Sequence, residues 1–274
     1  MQQLWRSPNS HVVHHRRLEG EGRDHRGGYR LRKYLFPRIH AFTGVPLRAS
    51  RLVITIDGPS GAGKSTLARL LALRLGIPYL DTGALYRTVA AEVIRRRIDI
   101  EDDDQLESLC RNLDIRIQWI EDRLLVLSSG RDVSQEIRSE RVGQMASCIS
   151  AKAAVRRALL KLQRQIVAKN GAILEGRDTG TVVAPDAHVK FYLDARAEER
   201  GLRRFRELQE QGMDVQLESV IRSMYQRDRQ DRERDLAPLR PAPDAVLIDT
   251  TDKSIADVME EMIRHVRKRI HVEV

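Results

Sequence analysis

Apolar residues follow two rhythms along this chain, and the two alternate. Residues 52–56 read Leu-Val-Ile-Thr-Ile, a nearly unbroken apolar run that predicts a strand buried on both faces. Residues 66–75 are rich in helix formers and stop at Gly76 and Pro78. A second short run at 77–80 predicts another strand, after which Asp81 or Thr82 can cap a helix over 84–97. On that helix Leu85, Val89 and Val93 recur every four residues and make one apolar stripe. The acids at 102–104 suit the start of a helix over 106–113. Alternation at 115–117 and an apolar run at 124–127 predict an antiparallel hairpin, turned onward by Gly130-Arg131-Asp132. Helices follow over 139–150 and 151–169, closed by Asn170-Gly171. Further apolar runs at 172–174, 189–193 and 246–248 predict strands, and Ser254 caps a last helix to about residue 269. Apolar strands alternating with helices predict an α/β fold, a parallel sheet with helices on both faces.

The first strand runs into Gly58-x-x-x-x-Gly63-Lys64-Ser65, the spacing of a P-loop. Gly58, Gly61 and Gly63 lack a Cβ, so the backbone can curl with its N–H groups inward around a phosphate. The helix that begins there adds unpaired N–H groups and a positive dipole end. Gly58, Pro59, Ser60, Gly61, Ala62, Gly63, Lys64, Ser65 and Thr66 are therefore the expected ATP-binding residues. Lys64 is the charge for the β- and γ-phosphates, and the Ser65 hydroxyl is the expected Mg²⁺ ligand.

Composition changes the picture most over residues 196–234. That stretch holds ten arginines, nine acids and no lysine, so its net charge is only +1. A solvated helical hairpin with internal ion pairs would account for the balance. The exclusive use of arginine points elsewhere, because its planar fork grips phosphate oxygens bidentately. Arg200, Arg203 and Arg204 share one helix face, as do Arg227, Asp231 and Arg234, and Gly212 separates the two helices. An arginine-bearing hinged hairpin is what a lid over polyphosphate requires. Domain organisation follows: core at 51–81, an insert and connecting helix at 82–170, core at 171–195, a lid at 196–240 and core again at 241–274.

The formal net charge of +9 is unevenly spread, with +7 carried by residues 1–50 and +2 by the other 224. The high isoelectric point thus belongs to a glycine-broken N-terminal extension that also holds five of the eight histidines. It is expected to be a poorly ordered, dispensable tail. A targeting peptide, an upstream start and a weak nucleic-acid or membrane-surface arm are the competing readings. The two cysteines, Cys110 and Cys148, suit a reducing cytoplasm and are expected as small buried side chains. No apolar run approaches the ~18 residues of a membrane span.

Three further segments resemble bacterial cytidylate kinases. They are Asp81-Thr82-Gly83-Ala84-Leu85-Tyr86-Arg87, Glu175-Gly176-Arg177-Asp178-Thr179-Gly180 and Arg227-Asp228-x-x-Asp231-Arg232-x-Arg234. With the P-loop and Pro185-Asp186-Ala187, the resemblance spans about residues 52–270 and leaves out the tail. It implies a core, an enlarged nucleoside-monophosphate-binding insert and a lid. It also implies transfer of a phosphoryl group from ATP, with Mg²⁺, to CMP or dCMP. The acceptor contacts it implies are Thr82, Arg87, Ser147, Arg156, Arg177, Asp178, Arg227, Asp231 and Arg234. Among these, Arg87, Arg177 and Arg234 fall to the phosphate, Arg227 and Asp231 to the ribose, and Ser147, Arg156 and Asp178 to the base. Cytosine chemistry agrees: a carboxylate accepts from N4, and an arginine donates to N3 and O2. Uracil would forfeit a charged hydrogen bond there, on the order of 1.5–3 kcal/mol. The expected catalytic set is Lys64, Arg177, Arg200 and Arg204. Glu175 stands where many of these kinases carry Asp, and Thr82 where Ser is common; each keeps the functional group. A monomer needing neither membrane nor nucleic acid is expected. The rival readings are a kinase for UMP or AMP and a nucleotide-dependent nucleic-acid binder using the tail.

Overall fold

The computed structural model describes residues 52–120, 123–210 and 212–270, so the expectations for residues 1–50 lie outside the described residues. Five strands form a parallel sheet. They are β1 (Val53–Asp57), β2 (Tyr79–Asp81), β6 (Ala172–Gly176), β7 (Val189–Asp194) and β8 (Val246–Asp249), in the order β2-β6-β1-β7-β8. Register aligns the strand ends that matter: Asp57 lies opposite Gly176 and Tyr192, and Asp81 opposite Glu175. Side chains alternate across the sheet, so each strand feeds two cores. Ile54, Ile56, Ile173 and Phe191 pack with α1 (Lys64–Leu75) and α8 (Ile255–Ile270). Leu80, Ala172 and Leu174 pack with α2 (Thr82–Arg96) and α5 (Ala153–Asn170) on the other face. The predicted stripe of Leu85, Val89 and Val93 is almost wholly buried there.

The insert adds α3 (Asp103–Asn112), α4 (Glu140–Ile149) and a small antiparallel sheet of β3 (Ile115–Ile120), β4 (Arg123–Ser128) and β5 (Arg131–Asp132). Asp102 caps α3 through the Gln105 N–H, as the acid run suggested. Buried Glu92 of α2 ties the small sheet down by accepting from Ser128 Oγ at 2.7 Å, while Arg95 and Arg96 neutralise it. The arginine-rich stretch forms a helical hairpin of α6 (Ala197–Glu210) and α7 (Leu217–Glu233). Between β6 and β7 the chain makes one turn of π-helix over Thr179–Val183, where the sequence pattern predicted only a loop. Its cause is long-range: buried Asp57 accepts from the N–H groups of Thr179 (2.9 Å) and Gly180 (2.7 Å) and from Thr179 Oγ1. Among the described residues no helix is long and apolar enough to cross a membrane. Of the two cysteines expected to be buried, Cys110 is half-buried and Cys148 is exposed, because α4 turns that side chain away from its apolar face.

Candidate active site

The carboxyl ends of β1, β2 and β6 converge on one cleft, the place where open parallel sheets bind ligands. In the loop after β1, Gly58 has φ 145° and Gly63 has φ 84°, so it needs residues without a Cβ. Gly63 stands as N-cap with no side-chain capping bond, leaving the N–H groups of the first turn of α1 directed at the loop. Lys64 is buried, and its Nζ donates to Pro59 O at 2.6 Å across the mouth of the loop. Burial, then the nearby Arg177, lowers its pKa to about 7, against the opposing pull of Glu175, Asp228 and Asp57. Burial likewise raises Asp57 to about 6 despite its three hydrogen bonds. Ser65 Oγ donates to Glu175 Oε1 at 2.7 Å, and the Tyr79 phenol donates to the other oxygen of that carboxylate. Thr82 Oγ1 donates to the Glu175 carbonyl at 2.6 Å, which seats α2 on the end of β6.

Beyond the loop two groups separate. The first is a cluster of arginines. Arg177 Nε donates to Asp231 Oδ2 at 2.9 Å, and Arg87 is held by Asp81 at 2.8 Å. Arg227 is lowered to about 10, chiefly by burial and next by the positive charge of Arg177, with Arg87 and Arg204 adding to the repulsion. Its Nε is buried without a hydrogen-bond partner among the described residues. Asp231 and Asp228 hold Arg177 above its ordinary value although burial works against them. Arg87 of α2, Arg177 just beyond β6, Arg204 of α6 and Arg227 of α7 thus concentrate positive charge around an unpaired buried donor. The second group surrounds Asp178, which is ion-paired to Arg156 and lies 3.5 Å from Arg234 Nη2. Arg156 also lies over the Tyr86 ring, 5.8 Å from its centroid. Ser150, rather than Ser147, carries the polar contacts here: its carbonyl accepts from Arg156 at 3.0 Å and its hydroxyl from Arg234 at 3.2 Å. Ser147 lies half-buried one turn earlier on α4, and its carbonyl accepts from Ser150 Oγ.

The cytidylate kinase family model matches residues 54–268. The chain belongs to the cytidylate kinase family. A cytidylate kinase of Geobacter sp. (strain M21) is 51% identical over 224 residues, covering 82% of this chain and 96% of that protein. One from Citrifermentans bemidjiense is 50% identical with the same coverage, and one from Vibrio vulnificus (strain CMCP6) is 44% identical over 218 residues, covering 80% and 96%. The match to the family model takes in the P-loop, the arginine cluster and the Asp178 group alike.

Several residues of this cytidylate kinase site differ from their expected surroundings. Arg200 was expected to face the transferring group. Instead it is buried against the P-loop backbone: Nη1 donates to Ser60 O at 2.8 Å, Nε donates to Ala195 O at 3.0 Å, and Asp228 pairs with the fork. The shared face of Arg200, Arg203 and Arg204 divides because the α6 stripe is wider than one cleft. Arg203 binds Thr250, and only Arg204 remains at the cluster, where Glu207 pairs with it at 2.7 Å. Asp57, Tyr79, Glu175, Tyr86 and Ser150 belong to the site but were not foreseen as members. Four of them lie in or beside recognised motifs; their roles come from partners far away in sequence.

Proposed function

We propose that this chain transfers the γ-phosphoryl group of ATP to the phosphate of CMP or dCMP. The observation that supports it best is the convergence of Arg87, Arg177, Arg204 and Arg227 beside Lys64, with the Arg156–Asp178 pair alongside. A hydrolase or a simple ATP-binding module has no use for a second anion site fitted with a base-reading carboxylate. In this reading residues 58–66 cradle the donor, and Lys64 follows charge onto the transferring group. Arg87 and Arg177 hold the acceptor phosphate, joined by Arg234, which reaches from the Asp178 group to the Asp231 carboxylate that also binds Arg177, with Arg204 adding charge from the lid. Asp231 orients Arg177, and Arg227 and Asp231 flank the ribose. Asp178 accepts from cytosine N4 while Arg156 donates to N3 and O2; its remaining lone pairs allow this although Arg156 and Arg234 already approach it. Thr82 and Ser147 are the remaining acceptor contacts that the family resemblance implies. No general base is required, because the acceptor phosphate is a nucleophile near neutral pH, its second pKa being ~6. Burial of the arginines excludes the water that would otherwise hydrolyse ATP.

Ser65 Oγ and the Glu175 carboxylate, adjacent at 2.7 Å, are hard oxygen donors of the kind Mg²⁺ accepts. Bound there with ATP, Mg²⁺ supplies neutralisation of the phosphate oxygens. A monomer working in the cytoplasm fits this reading. Initial rates with CMP, dCMP, UMP and AMP at fixed ATP test it: CMP and dCMP should lead, and a clear preference for AMP or UMP would remove the base assignment.

A further inference from the structure

Arg200 and Asp228 form a buried pair against the P-loop, one partner from each helix of the α6–α7 hairpin. Arg200 is 6% exposed and Asp228 1%. Together they address one peptide residue from both ends. Asp228 Oδ1 accepts from the Ser60 N–H at 2.9 Å, and Arg200 Nη1 donates to the Ser60 carbonyl at 2.8 Å while pairing with Asp228. The contact has no slack. A Cβ on Gly61, which has φ +75°, would lie 2.7 Å from the Arg200 carbonyl and 2.8 Å from Met224 Cε. The other limb of the loop is bridged by Lys64 Nζ to Pro59 O at 2.6 Å. Ser60 has no regular secondary structure to satisfy its backbone, so the shape of this limb depends on the ion pair.

We infer that Arg200 and Asp228 are positioning residues: a clamp at the root of the lid that holds Ser60, and through it the curvature of the donor loop. The inference rests on the donor assignment of residues 58–66 made above. It gives the hairpin two tasks, with Arg204 and Arg227 turned to the arginine cluster and the neighbouring Arg200–Asp228 pair holding the loop. The predicted consequence is selective for the donor. Loss of the clamp relaxes the phosphate cradle but leaves Arg156 and Asp178 untouched.

Breaking one side of a buried pair strands a charge, whereas replacing both sides with apolar groups is often neutral for stability. That difference separates positioning from mere support. In Asp228→Asn, Tm should fall. In Arg200→Met combined with Asp228→Leu, Tm should return towards wild type, while ADP affinity by calorimetry and the KM for ATP stay about tenfold worse and the KM for CMP moves clearly less, because Asp231 still holds Arg177 when Asp228 is gone. The Ser60 amide should lose its protection from hydrogen exchange in the double variant. Arg200→Lys keeps the charge but not the fork, and serves if the double variant does not fold: near-wild-type Tm with weaker ADP binding is expected. Full recovery of ADP affinity in the double variant, equal losses for ATP and CMP, or wild-type ADP affinity in Arg200→Lys would each overturn the clamp. ADP binding is read without any acceptor, so a wrong base assignment would leave this result standing.

Discussion

Lys64 carries its charge only at a cost, since burial and Arg177 lower it to about 7. A bound polyphosphate removes that cost and restores the ordinary high pKa. Nucleotide binding at pH 8 should therefore take up close to one proton, seen by calorimetry in buffers of differing ionisation enthalpy. Affinity should weaken as pH rises above about 7, and a pH-independent affinity between 7 and 9 would contradict the shift. The same linkage acts on folding. The unfolded chain binds more protons between the lowered pKa and the ordinary lysine value, so stability rises with pH across that window. Lys64→Met should thus abolish transfer yet raise Tm, and more so at pH 6 than at pH 9. Asp178 makes the second prediction at this scale. Asp178→Asn should cost the CMP rate constant kcat/KM about tenfold or more and narrow the preference over UMP, because an amide can donate to uracil O4 where a carboxylate cannot. Initial-rate ratios for the two acceptors check it. Neither residue announces its surroundings in the sequence: Lys64 was legible as a phosphate ligand from its spacing, but not its lowered pKa, which needs Arg177 and burial together.

At the scale of elements, the loop and the lid are set by close backbone approach. Gly58 combines φ 145° with a position where a Cβ would overlap the Leu193 carbonyl oxygen of β7. Gly58→Ala should therefore lower stability by about 1–3 kcal/mol and remove ATP binding, measured by denaturation and calorimetry. In the lid, Gly201 of α6 leaves no room between its Cα and the Ile221 side chain of α7. Gly201→Val should push the helices apart, raising the KM for both substrates while the insert sheet keeps its hydrogen-exchange protection. Helices were well foreshadowed wherever a 3.6-residue stripe met a cap, as with Asp81 and α2 or Ser254 and α8. Strand ends drifted by a residue or two because ladder partners, not local pattern, decide where pairing stops. The π-turn at Thr179–Val183 was illegible for a stronger reason: its hydrogen-bonding partner Asp57 lies 122 residues earlier.

For the whole molecule, the prediction concerns charge distribution. The catalytic reading uses only groups between β1 and α8, and residues 1–50 contribute +7 without any motif of the site. Deleting residues 1–50 should leave kcat and both KM values within about twofold in a standard coupled assay. Loss of activity would place the tail in the site, and salt-sensitive RNA binding lost with it would revive a nucleic-acid role. By itself the sequence determined the P-loop spacing, the alternation of strand and helix, the three family motifs and the lysine-free, arginine-rich stretch at 196–234, since each is a matter of residue type at short spacing. Tertiary structure alone decided which arginines share a cleft. It turned Arg200 onto Ser60, left Arg204 with Arg227, paired Arg156 with Asp178, and set Tyr79 on Glu175. Helical spacing places side chains on a face, but a face is wider than a site, and burial against distant backbone chooses among its members.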